Sequence, residues 1–120
     1  MDQSRFMWYT IKNFSKDSDR AITAEVQVPA DCVWFDGHFP NMPILPGVAQ
    51  LTLVTDLLNR ALKRPVVVRG VSRIRFKQMI RPDDTIAVSL SPTQKDTETY
   101  AFRLSNGSEL VCSGAITIAV

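Results

Sequence analysis

Residues 20–28 alternate in steps of two. Ile22, Ala24, Val26 and Val28 fall on one face, and Thr23, Glu25 and Gln27 on the other. This is the pattern of a strand with one buried side. The stretch before it, MWYTIKNF, is rich in β-formers and runs into the polar turn signal SKDSD. Residues 6–14 and 20–28 are expected to pair as a hairpin. The period changes at Gly47. From Gly47 to Lys63 there is no proline, and from Thr52 on the polar residues Thr52, Thr55, Asp56, Asn59, Arg60 and Lys63 recur at helical spacing as one stripe. The other positions of this helix are apolar over about two thirds of its circumference, so it needs a curved sheet wrapped around it. The sheet follows. Residues 65–80 alternate, with Val66, Val68, Ile74 and Phe76 on one face and Arg69, Arg73, Arg75 and Lys77 on the other. Arg81–Asp84 reads as a turn. Residues 85–92, 97–105 and 109–120 read as three more strands, with Ser105–Ser108 as a hairpin turn between the last two. The order β-β-loop-α-β-β-β-β predicts an α+β domain, one long helix against an antiparallel sheet.

Composition adds limits. The 120 residues fit one domain, residues 1–120, with 45% hydrophobic and 22% charged residues, the balance of an ordinary globular protein. A net charge of +2 gives no case for a nucleic-acid partner. Cys32 and Cys112 are far apart and match no metal motif, so both are expected as core thiols in a reducing cytosol, one disulfide being the alternative, and neither a metal nor a cofactor is expected. The N-terminal residues lack the apolar stretch of a signal peptide, and no run approaches the ~18 apolar residues of a membrane helix. A cytoplasmic protein without membrane insertion is the expectation.

The chemistry centres on Phe35–Asp56, FDGHFPNMPILPGVAQLTLVTD. It holds the chain's one histidine, His38, ahead of Pro40, Pro43 and Pro46. Each proline fixes φ and removes a donor, which makes a stiff loop. Histidine, with an unperturbed pKa of about 6.5, suits a general base. A histidine packed and hydrogen-bonded for loop shape is the plain alternative. Gly47 opens the helix, where unpaired N–H groups and the helix dipole favour negative charge. It equally permits a tight turn. No Ser or Cys sits in a nucleophile motif, which argues against covalent catalysis.

The motif GHFPNMPILPGVAQL resembles the signature of the FabZ and FabA dehydratases of fatty-acid synthesis, and RFKQMIRPDDTI resembles that family's second stretch. The wording ILPGVAQL is nearer to a FabZ-like branch of aryl-polyene and related specialised lipid clusters. The likeness spans about residues 30–118. It implies the hotdog fold, a six-stranded sheet wrapped round one helix, and dehydration of a 3-hydroxyacyl thioester to a trans-2-enoyl thioester. It assigns His38 as the base and the Gly47 N–H as the donor to the thioester oxygen. The family's acid, glutamate or aspartate, lies fourteen residues after the histidine, and here that position is Thr52. Asp56, one turn further along the same face, is the nearest carboxylate. It has two readings, an acid acting through water or the Thr52 hydroxyl, and an exposed pair with Arg60. Asp36 is a weaker candidate, since loop aspartates make local turn bonds.

The resemblance further implies a dimer in which the histidine of one subunit faces the acid of the other. It implies an acyl tunnel beside the helix, lined by residues such as Leu51 and Leu53, with Phe39, Pro46 and Val48 also against the substrate. Arg69, Arg73, Arg75, Lys77 and Arg81 are expected to face an acidic acyl carrier protein, an ordinary solvated sheet face being the alternative. Three functions stay open. They are a dehydratase with an unorthodox acid, a hotdog thioesterase, and a non-catalytic acyl-binding subunit that pairs with a complete sister hotdog chain.

Overall fold

A computed structural model describes residues 8–32, 45–93 and 98–119. In these residues the chain runs β1 (Thr10–Lys16), β2 (Ile22–Gln27), α1 (Gly47–Leu62), β3 (Val68–Phe76), β4 (Thr85–Pro92), β5 (Thr99–Asn106) and β6 (Glu109–Ile118). The strands form one sheet in the order β1-β2-β4-β5-β6-β3, antiparallel throughout. The α+β arrangement expected from the sequence is the one observed.

The alternation in the central strands sets the register. Ile22, Ala24 and Val26 of β2 stand opposite Leu90, Val88 and Ile86 of β4. Val88 and Leu90 in turn face Leu104 and Phe102 of β5. All eight are buried, and they pack in one cluster with Leu53, Val54, Leu57 and Leu58 of α1. A one-residue slip would expose every one of them. The Phe102 ring lies over Gly114 of β6, where an added Cβ would come within 2.9 Å of it. That glycine lets an aromatic side chain fill the inner face. Cys32 and Cys112 are both buried thiols, and burial pushes the Cys112 thiol up to about 11.

Asn59 ends the helix. Its carbonyl accepts from the N–H of Lys63, which adopts the left-handed conformation, and from the N–H of Arg64. Its side chain accepts from Val66 N–H at 2.8 Å. The first two bonds satisfy one of the carbonyls that a helix end otherwise leaves open, and the third ties the following chain to the helix. The turn at residues 81–84 closes through Arg81 N–H to Asp84 Oδ2 at 2.8 Å and Asp84 N–H to the Arg81 carbonyl.

The first strand starts later than its composition suggests, at Thr10, because Trp8 and Tyr9 turn away to pack against the core. A larger difference is in β3. Two bulges interrupt it, between Val68 and Gly70 and between Ser72 and Arg75. Each inserts an extra residue and breaks the two-residue alternation. Val68, Val71 and Phe76 consequently stand opposite Ile118, Ile116 and Cys112, which are buried. Arg69, Arg73, Arg75 and Lys77 do not form one alternating row. The other edge strand, β1, is also bulged, and in that bulge and in the second bulge of β3 a non-glycine residue, Asn13 and Arg73 respectively, takes a left-handed φ.

Candidate functional site

The site is built on the first half of α1. Pro46 caps the helix with φ −63° and ψ 155°, no side chain among the described residues caps the first amides, and the first turn holds no acidic residue. The positive end of the helix dipole is therefore not offset by a carboxylate in that turn. Gly47 is the first helical residue. The Phe76 ring lies so close that a Cβ on Gly47 would fall 2.8 Å from its tip. Only a glycine leaves the ring in that position. Gln50 is buried. Its side-chain amide donates to the Leu45 carbonyl at 3.4 Å, while its Oε1 has no partner among the described residues.

Along the outer face of α1 runs a groove of about 240 Å³, lined by Val48, Leu51, Thr52, Thr55 and Asp56 of the helix, Val68 and Val71 of β3, and Ile116 of β6. Its lining is mostly apolar. Thr52 Oγ1 donates to the Val48 carbonyl at 2.9 Å, and Thr55 Oγ1 donates to the Leu51 carbonyl at 3.0 Å. With both protons committed to the helix, the threonines present acceptor lone pairs to the groove. Among the described residues that line it, Asp56 is the single ionisable side chain.

Asp56 is half-buried. Tyr9, buried just ahead of β1, donates its phenol proton to Asp56 Oδ2 at 2.9 Å. Burial raises the Asp56 pKa above its ordinary value, against the opposing effects of the Tyr9 hydrogen bond and of the nearby Arg60 charge. A carboxyl shifted this way holds its proton to higher pH, as a general acid must. Burial and the neighbouring carboxylate push the Tyr9 phenol upward, so it stays a neutral donor. Asp56 is not a simple exposed partner of Arg60.

The residues expected at the site separate as follows. Gly47, Val48, Leu51, Thr52 and Asp56 come together on α1, with Pro46 as its cap. Leu53 does not line the groove. It is fully buried among the core side chains, because it lies on the sheet-facing side of the helix. His38, Phe39 and Asp36 lie outside the described residues. Arg69, Arg73, Arg75, Lys77 and Arg81 are all exposed, and Arg69 lies 3.7 Å from Glu98. Lys77 and Arg81 line an open cleft of about 510 Å³ with Asp84 and Glu109, so its charge is mixed. Tyr9 is the site residue that pattern reading misses. Its position in a β-forming stretch identifies a strand, and nothing local identifies a partner 47 residues away.

Residues 14–115 match the family model for ApeI-like proteins, described as ApeI dehydratase. The 3-hydroxyacyl-(acyl-carrier-protein) dehydratase FabZ of Chlamydia caviae is 30% identical over 112 residues, covering 84% of this chain and 73% of that protein. Among solved structures, the dehydratase heterocomplex ApeI:P from Xenorhabdus doucetiae aligns with a TM-score of 0.84 at 21% identity, covering 95% of this chain and 100% of that one. Mouse thioesterase superfamily member 2 aligns with a TM-score of 0.67 at 16% identity, covering 97% and 85%. At those identities the two structures establish a shared fold, the hotdog. No helix among the described residues is long and apolar enough to cross a membrane.

Proposed function

The chain belongs to the ApeI-like dehydratase family, and from that premise we propose that it removes water from a 3-hydroxyacyl thioester on acyl carrier protein, giving a trans-2-enoyl thioester. His38 takes the proton from C2. The Gly47 N–H, at an uncapped helix start, holds the negative charge that develops on the thioester oxygen. Asp56 supplies the proton on which the C3 hydroxyl leaves as water. The C2–H and C3–O bonds break, the C2=C3 bond forms, and the proton gained by His38 replaces the one lost by Asp56.

The observation that carries this reading is Asp56 itself, a half-buried carboxyl with a raised pKa in a mostly apolar groove. Its position, one turn of about 5.4 Å beyond Thr52, calls for a bridging water. The free lone pairs of Thr52 Oγ1 suit such a water, which accepts from Asp56 and donates to both Thr52 and the leaving hydroxyl. The acyl chain lies along Val48, Leu51, Val68 and Val71. Exposed Arg73, Arg75, Lys77 and Arg81, together with Arg69, steer the acidic carrier.

A second hotdog subunit belongs to this reading. The edge strand β3 leaves Val68, Val71 and Phe76 exposed beside the groove, with Val67, Val48 and Met79 nearby. An exposed apolar edge strand invites pairing with another chain. A homodimer and a heterodimer both satisfy this, and the Xenorhabdus structure is of a heterocomplex. The non-catalytic partner reading rests on Thr52 standing in the acid's place.

Turnover on a panel of 3-hydroxyacyl carrier-protein substrates tests the assignment, comparing wild type with His38→Ala, Asp56→Asn and Thr52→Glu. Loss in both His38→Ala and Asp56→Asn, with folding intact, supports an acid moved by one helical turn. A silent wild type that Thr52→Glu restores overturns it in favour of a binding subunit.

A further inference from the structure

Among the described residues that line the groove there is one carboxyl, and a buried residue from a remote part of the chain holds it. Tyr9 adjoins β1, one edge of the sheet, while Val68 and Val71 belong to β3, the other edge. The sheet curls far enough round α1 for Asp56 to meet both. Tyr9 is 5% exposed and its ring packs edge-on against Trp8 at 4.7 Å between centroids. A phenol fixed this way has one proton to give, and it gives it to Oδ2.

We propose that Tyr9 is the positioning residue of the acid, using its single O–H to occupy Asp56 Oδ2 and so confine the transferable proton to Oδ1. This deepens the dehydratase reading and rests on it. The chemistry follows from the donor count. A protonated carboxyl has one hydroxyl and one carbonyl oxygen, and a neutral phenol donating to one oxygen makes that oxygen the acceptor. The proton then sits on the other. Tyr9 does not take the proton itself, because its burial keeps the phenol neutral. Among the described residues, the titratable or charged groups that face Asp56 are Tyr9 and Arg60. From β3 and β6 the groove presents Val68, Val71 and Ile116, which carry no charge.

The test is Tyr9→Phe, which keeps the ring and removes only the O–H, in the full chain beside Asp56→Asn. Two readouts are taken: the carbon-13 titration of the Asp56 carboxyl, and kcat against pH on a 3-hydroxyacyl carrier-protein substrate. Losing a donor to the ionised form moves the Asp56 titration upward. The limb of the kcat profile that coincides with that titration moves with it. Misplacing the proton lowers kcat roughly 10–100-fold with KM unchanged. If Tyr9→Phe keeps wild-type kcat and an unshifted Asp56 titration while Asp56→Asn is inactive, the positioning role fails and the dehydratase assignment stands. If folded Asp56→Asn turns over normally, the acid assignment fails and takes the role of Tyr9 with it.

Discussion

The two faces of α1 carry the same kinds of apolar residue and serve different ends. Leu53, Val54, Leu57 and Leu58 are fully buried under the sheet. On the opposite side of the helix, Val48 is 61% exposed and Leu51 is half-buried, and both line the groove with Thr52, Thr55 and Asp56. The first face is closed by β2, β4, β5 and β6. The second is met by β3, an edge strand exposed along nearly its whole length. Stability and chemistry are thus assigned to opposite sides of one helix, and substitutions separate them.

The largest expected effect is the crossed pair Asp56→Asn and Leu57→Ala. Asp56→Asn removes a general acid and lowers kcat by about 10²–10⁴-fold, yet it does not lower the melting temperature at pH 8. The sign follows from linkage. A carboxyl whose folded pKa lies above its unfolded value binds more protons when folded, so wild-type stability falls as pH rises from the ordinary value of 3.8 through the raised one. Asn at this position escapes that loss and still accepts from Tyr9. The gap between the two melting temperatures should close as pH is lowered toward 3.8. Leu57→Ala behaves in the opposite way. It costs about 2–5 kcal/mol in denaturant unfolding, while kcat per folded molecule is retained. An Asp56→Asn protein that melts well below wild type at pH 8 contradicts the separation of the faces.

A smaller effect is expected of Gly47→Ala, which sits where the faces meet. The new methyl displaces the Phe76 ring, and that ring is 52% exposed and free to swing outward. Little stability is lost, because alanine is the better helix former. The Gly47 N–H remains, so turnover falls by less than the about 10²–10³-fold of an oxyanion donor removed outright. Paired unfolding and turnover curves check this. The smallest effect is that of Arg75→Glu, on the exposed surface of β3. It should raise KM for the carrier substrate a few-fold, most at low salt, with kcat and stability unchanged. A KM insensitive to both the charge and the salt removes this residue from the carrier-facing surface.

Much of the frame is legible in local pattern. The alternation of residues 20–28, 85–92 and 97–105 is the burial pattern of β2, β4 and β5, because a buried face selects apolar residues every second position. The helix from Gly47 is legible for the matching reason at its own period, and no residue of its polar stripe is buried. The strand β3 was legible as a strand, but the way its side chains face was not. Its residues obey the alternation on paper, but edge strands tolerate bulges because one side has no ladder to disrupt, and two bulges re-aim Val71 toward the groove.

The amino-acid sequence by itself determined the element order, the inward faces of the central strands, and the loop-to-helix motif that marks the family. Each is written within a few residues, where backbone geometry and side-chain period act directly. Only the tertiary structure decided that Leu53 belongs to the core while Leu51 lines the groove, and that Asp56 is held by Tyr9. Those outcomes depend on how far a twisted sheet curls round the helix, which brings residues 47 positions apart within 2.9 Å.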